Sequence, residues 1–189
     1  MTLKLPSALL AMLVLIPTTG HAEERALFLQ KVYMSFCLKH FDDYGALRAG
    51  LIEQGLPKLA PQQAAPFLQG RDGDAWPVPY EGQFGQFVLT LPAGDNLCAV
   101  MARRADPDIT GRWFATLAET APEPLEVQQV LDESTHTPLN GEARTRAWRW
   151  AAPAALQQLQ LTLTTASEPE AAIQAMVSLA VIRAEQQER

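Results

Sequence analysis

The sequence predicts an α+β fold: N-terminal helices packed on one face of a largely antiparallel sheet of five to six strands, in a single domain over residues 23–189. Three observations predict it. Apolar residues recur at helical spacing early in the chain, and they alternate with period two through the last third. Between these regions, Phe84–Arg104 (FGQFVLTLPAGDNLCAVMARR) reads as a β-hairpin. Phe87, Leu89 and Leu91 alternate before the turn PAGDN, and Cys98, Val100 and Ala102 alternate after it.

Taken in order, Glu23–Phe41 reads as a helix, with Leu27, Val32, Met34, Cys37, Leu38 and Phe41 mostly at helical spacing and Phe28 and Phe36 widening the stripe. Asp42-Asp43-Tyr44-Gly45 interrupts it. A second helix, Ala46–Gln54, stops at Gly55 with Pro57 beyond, and a third, Gln62–Leu68, follows Pro61 and ends at Gly70. Asp72-Gly73-Asp74 reads as a turn. Trp76-Pro77-Val78-Pro79-Tyr80 cannot be an interior strand, because proline has no N–H for the ladder. It reads as an extended approach segment whose Trp76 packs under the sheet.

After the hairpin, Asp106-Pro107-Asp108 starts a helix over Ile109–Ala121, which ends at Pro122-Glu123-Pro124. Leu125–Glu133 reads as a strand, with Leu125, Val127 and Leu131 on one parity. The loop Thr137–Gly141 carries an Asn-Gly turn signal, and Glu142–Trp150 returns as a strand. Leu156–Thr165 alternates, with Leu159, Leu161 and Leu163 inward. Ala175–Arg183 is preceded by the helix-like EAAIQAM but contains MVSLAVI; a short turn near Glu170 followed by a strand reads best.

The first 22 residues read as a secretory signal peptide. Lys4 is its positive region, Leu9–Ile16 its apolar centre, and Gly20-His21-Ala22 the small-residue site, so that cleavage after Ala22 leaves Glu23 first. The apolar centre is too short to span a bilayer, and no later run, Ala171–Ile182 included, reaches that length. The expected location is periplasmic, with no membrane span in the mature chain. Removing the leader removes Lys4 alone, leaving 14 basic against 21 acidic side chains, a net charge of −7. That balance disfavours nucleic acid as a partner. With 48% apolar residues, the chain has the material for a folded core.

The chain has two cysteines, Cys37 and Cys98, both beyond the leader. An oxidising compartment favours their pairing, which would pin helix to sheet and close a loop of roughly 60 residues, worth on the order of 4 kcal/mol. Two buried free thiols or a redox-active pair are the competing readings.

Known chemistries find little purchase. Of three histidines, His21 leaves with the leader, His40 falls on the exposed side of the first helix, and His136 falls in the predicted hairpin loop. Zinc needs three or four N/S ligands, and Cys37-Leu38-Lys39-His40 offers one close pair, which a disulfide would withdraw. No metal and no cofactor is expected. None of Ser35, Ser134, Ser167 and Ser178 sits in a nucleophile elbow. The acidic pairs Asp72/Asp74, Asp106/Asp108 and Asp132/Glu133 sit where turns and caps want carboxylates.

The least ordinary feature is the quartet Arg144, Arg146, Trp148 and Trp150. In a strand all four share a face. As a binding surface, arginine beside tryptophan can hold a carboxylate, a glycan or an acidic patch of a partner. The same pattern suits tryptophans facing the core with the arginines at its rim, and this is the stronger of the two readings.

The leader, the helix ending in Phe36-Cys37, the segment Ala75-Trp76-Pro77 and the strand ending Leu97-Cys98-Ala99-Val100 together resemble small exported proteobacterial proteins that are themselves uncharacterised. The resemblance implies a periplasmic, disulfide-bonded domain and carries no catalytic residue over. The functional expectation is a non-catalytic periplasmic protein that binds a protein partner or small ligand, as an inhibitor, a toxin-immunity protein or an envelope accessory. The alternatives are an envelope-directed hydrolase using carboxylates such as Asp72, Asp74 and Asp108, and a thiol-redox protein.

Overall fold

The computed structural model describes residues 19–94 and 96–183. Most of the expected leader, residues 1–18, lies outside them; Gly20-His21-Ala22 falls in the first turn of a helix. That helix, α1 (Thr19–Val32), continues without a break as a π-helix over Tyr33–Leu38. α2 (Tyr44–Glu53) starts where the Asp43 carboxylate accepts from Ala46 N at 2.8 Å, which satisfies an otherwise orphaned amide. α3 (Pro61–Leu68) has proline at its first position and ends as Gln69 turns left-handed.

The strands are β1 (Gly73–Tyr80), β2 (Gln83–Pro92), β3 (Leu97–Ala102), β4 (Glu126–Thr137), β5 (Gly141–Ala151), β6 (Gln157–Ala166) and β7 (Ala175–Arg183), with α4 (Pro107–Ala118) between β3 and β4. They form one antiparallel sheet in the order β1-β2-β3-β7-β6-β5-β4. The sheet therefore has seven strands, against five to six expected. The additional strand is β1, the Trp76–Tyr80 segment read as an approach segment, which also takes in Gly73 and Asp74 from the expected turn. Its prolines are tolerated because β1 lies at the edge, where an N–H facing away from β2 has nothing to bond.

The main core lies on one face of the sheet. Trp76, Phe87, Leu89, Leu91, Cys98, Val100, Val177, Leu179, Leu161, Leu163, Trp148 and Trp150 point into it from successive strands. Tyr33 and Leu29 of the first helix, Leu47 and Leu51 of α2, and Phe114 of α4 close it from above. α3 does not join them. Its Ala64 and Leu68 pack on Ala75 and Val88, which occupy the opposite pleat of β1 and β2. The expectation of N-terminal helices on one face thus holds for α1 and α2 and is corrected for α3.

Cys37 and Cys98 are bonded, with Cα atoms 5.3 Å apart and no surface exposure. The bond joins the π-helix to β3. Tyr44 Oη lies 3.1 Å from Cys37 O and 3.2 Å from Leu179 O, its single proton shared between them, and Tyr33 Oη donates to Ser178 O at 3.3 Å. Both phenols are pushed well above their usual range, chiefly by burial.

The loop tie and the phenols set two expectations. Replacing both cysteines, Cys37→Ala with Cys98→Ala, should lower unfolding free energy by about 2–5 kcal/mol, read from the urea midpoint. A phenol whose folded pKa stands above its unfolded value of about 10 keeps its proton natively after the unfolded chain has lost it. Stability should therefore be intact below about pH 10 and decline above it. Tyr33→Phe and Tyr44→Phe should each flatten that decline; a slope unchanged in both variants would contradict the assignment.

Candidate functional site

β5 is regular, so alternate residues share a pleat. Glu142, Arg144, Arg146, Trp148 and Trp150 all face the helical side of the sheet. Trp148 and Trp150 lie under α4, only 2% and 4% exposed. Trp148 meets Phe114 with ring centroids 5.8 Å apart, and Trp150 Nε1 donates to Ala118 O at 2.6 Å, capping a carbonyl at the end of the helix. The two arginines lie farther along the strand, in an opening between the N-terminal half of α4 and the sheet. The quartet thus divides between core and opening: the tryptophans are covered, and the arginines reach water.

That opening is a cleft of about 830 Å³. α4 contributes Asp108, Gly111 and Arg112 to it, β5 contributes Glu142, Arg144 and Arg146, and hydroxyls come from Ser134 and Thr165 on the flanking strands and from Ser167 just after β6. The volume lies within the range of small-molecule sites.

A bulge in β4 arranges the charges. The register slips between Gln129 and Leu131, and an extra residue sends every later side chain to the other face. Val127 pairs with Trp150 on the helical side, whereas Leu131 pairs with Ala147 on the opposite side. Leu125, Val127 and Leu131 therefore do not share a face, contrary to the parity expected. In exchange, Asp132 comes to the helical side, and Arg144 Nε and Nη2 donate to its two carboxylate oxygens at 2.7 Å each. This fork-on-fork bond holds the Asp132 carboxyl below its usual range and raises Arg144. The pair is exposed, 57% for the Arg144 side chain and 39% for Asp132, so it orders the site more than it stabilises the fold.

Arg146 is placed differently. It is partly buried, its Cζ is 5.7 Å from the Trp148 ring, and it makes no hydrogen bond or ion pair with another described residue. Its guanidinium lies across α4 at Gly111, where a Cβ would stand 2.8 Å from Nη2. Glycine inside a helix costs about 1 kcal/mol relative to alanine, and the backbone here has ordinary helical geometry. Room for Arg146 is the packing reason visible for it.

The remaining candidates are scattered. Asp74 on β1 is held by Arg48 at 3.0 Å and Lys58 at 2.8 Å, tying α2 and the α2–α3 connection to the sheet edge. Asp72 precedes that strand, and Asp108 alone of the three carboxylates considered for hydrolysis lines the cleft. His40 is half-buried in the turn after the π-helix, and His136 is exposed on β4, inside a strand and not in the loop expected. Among the described residues, no three His, Cys, Asp or Glu side chains cluster as metal ligands would. No described helix is long and apolar enough to cross a membrane. Gly111 and Arg112 escaped the sequence reading, and Asp132, considered there only as one of an acidic pair with Glu133, instead binds Arg144. A mid-helix glycine between Thr110 and Arg112 was the one signal available.

Comparison with protein families, curated proteins and solved structures finds no match to this chain.

The division between core and opening has a stability signature. Trp150→Phe removes the bond to Ala118 O and should cost about 1 kcal/mol, while Arg146→Ala should stay within about 0.5 kcal/mol of the parent. Parallel urea titrations check both, and equal losses would contradict the division.

Proposed function

We propose that this chain is an exported, periplasmic binding protein without catalysis of its own, and that its ligand or partner engages the cleft between α4 and strands β4–β6. The observation that carries this reading is the convergence of Arg112, Arg144 and Arg146 on one cleft of about 830 Å³. The chain as a whole is acidic, with a net charge of −6, whereas in this concavity the three guanidinium groups balance the carboxylates of Asp108, Glu142 and the Arg144-bound Asp132. Asp108 and Glu142 line the same cleft, and this mixture favours a ligand that presents both an anionic and a hydroxylated or cationic part over a polyanion.

Support for export comes from the disulfide. A fully buried Cys37–Cys98 bond suits a chain that folds outside the reducing cytosol. Its burial also favours a structural over a redox role, because exchange needs a thiolate that can approach the bond. An inhibitor, an immunity protein and an envelope accessory are all consistent with such a module.

Two measurements test the reading. Intact mass of the form recovered from the periplasm should begin at Glu23 and be lighter by the two hydrogens of the disulfide. Affinity capture from periplasmic extract should lose its specific partner when Arg144→Glu and Arg146→Glu are combined. An unchanged set of captured molecules would reject the cleft as the binding surface.

A further inference from the structure

We propose that Arg146, seated on Gly111, is the receptor for a single oxyanion group, a carboxylate or a phosphate, carried by a small molecule that fills the cleft. This deepens the binding reading above and rests on it. Arg144 and Arg146 look equivalent in the sequence, two positions apart on one strand face. The structure separates them. Arg144 has committed one edge of its guanidinium to both oxygens of Asp132. Arg146 has five N–H donors and hydrogen-bonds none of them to another described residue; its charge helps lower the Asp132 carboxyl opposite it in the β4–β5 ladder, and it lies against the Trp148 ring and the bare surface of α4 at Gly111.

A guanidinium that is oriented but uncommitted is what bidentate recognition of an oxyanion requires. The Trp148 ring and the α4 surface at Gly111 restrict the side chain before a ligand arrives. The surrounding groups fit the same role. Hydroxyls of Ser134 and Thr165 line the cleft and can donate to further oxygen lone pairs. Thr165 lies opposite Arg144 and Leu163 opposite Arg146 in the β5–β6 ladder, which places that hydroxyl one step along the same face. Asp108 and Glu142 add carboxylates to the same lining, which disfavours a polyanion. The cleft far exceeds a bare ion in volume, which leaves room for a larger molecule anchored by its oxyanion.

Gly111 is the positioning residue in this scheme. An alanine there would meet Nη2, the movable end of Arg146, and not the backbone. The substitution should therefore displace the guanidinium while leaving the helix intact and intrinsically better formed.

The test uses the full mature protein, with inorganic phosphate and acetate as probes, chloride as the control salt and ionic strength held constant. Nitrogen–proton correlation spectra follow the Arg146 Nε–H and Trp148 Nε1–H signals. The expected result is a saturable shift at these two signals with one or both oxyanions and none with chloride; which oxyanion saturates identifies the group. Gly111→Ala and Arg146→Lys should each weaken the response about tenfold or more, the factor that follows from losing a charge-assisted bond. Gly111→Ala should do so with an unfolding midpoint no lower than the parent's. Shifts that stay linear and spread over all arginines would mean an adventitious ion only and overturn the proposal. So would full binding in Gly111→Ala. If neither oxyanion registers while the charge-reversed double variant still loses its captured partner, the oxyanion proposal fails and the cleft reading stands.

Discussion

The fold depends on the seam where β7 lies between β3 and β6. β1–β2–β3 is a meander, and β4–β5–β6–β7 is another. The ladder from β3 to β7 makes one sheet of them, pairing Cys98 with Leu179 and Val100 with Val177. That seam closes contacts between residues some 80 positions apart, whose loop-closure entropy must be offset by local packing. The first helix and the start of α2 supply the packing. Tyr33 and Tyr44 reach carbonyls of β7, and Cys37 bonds Cys98 beside them, so the helical layer is tied to both sides of the seam. The π-helix over Tyr33–Leu38 belongs to this arrangement, since both of its buried residues, Tyr33 and Cys37, face the seam.

α4 has the corresponding role for the β4–β6 half. Asp106 caps its start, accepting from Ile109 N at 2.8 Å, and Trp150 caps its end. A helix fixed at both ends over a twisted sheet cannot follow every strand along its whole length. It covers Trp148 and Trp150, and beyond them the cleft lies between its N-terminal half and the strands. The binding surface proposed here is thus a consequence of how the core is closed. Its charged residues sit on the same strand face as the core tryptophans.

Much of this was legible in the residues. The hairpin centred on Pro92–Asn96, the three N-terminal helices and the strands from β4 to β7 follow from periodicity and turn chemistry, because burial on one side leaves a period of 3.6 or 2 in the chain. The edge strand β1 was missed as a strand for a definite reason. Pro77 and Pro79 argue against an interior position, and the step from there to no strand at all passed over the one place in a sheet that tolerates them. The bulge in β4 was illegible because its extra residue carries no mark in EVQQVLDEST, where polar and apolar side chains suit either parity.

What the sequence by itself determined is the order and type of the elements other than β1, the sole internal cysteine pairing available, and the shared face of Arg144, Arg146, Trp148 and Trp150. These are local properties, written in spacing and composition. Only the tertiary structure decided that α3 crosses to the other face, that Asp132 rather than a neighbouring carboxylate takes Arg144, and that Arg146 lies on Gly111. Each of these depends on which strands become neighbours and in what register, and that choice comes from packing between segments far apart in the chain, where no local pattern records it.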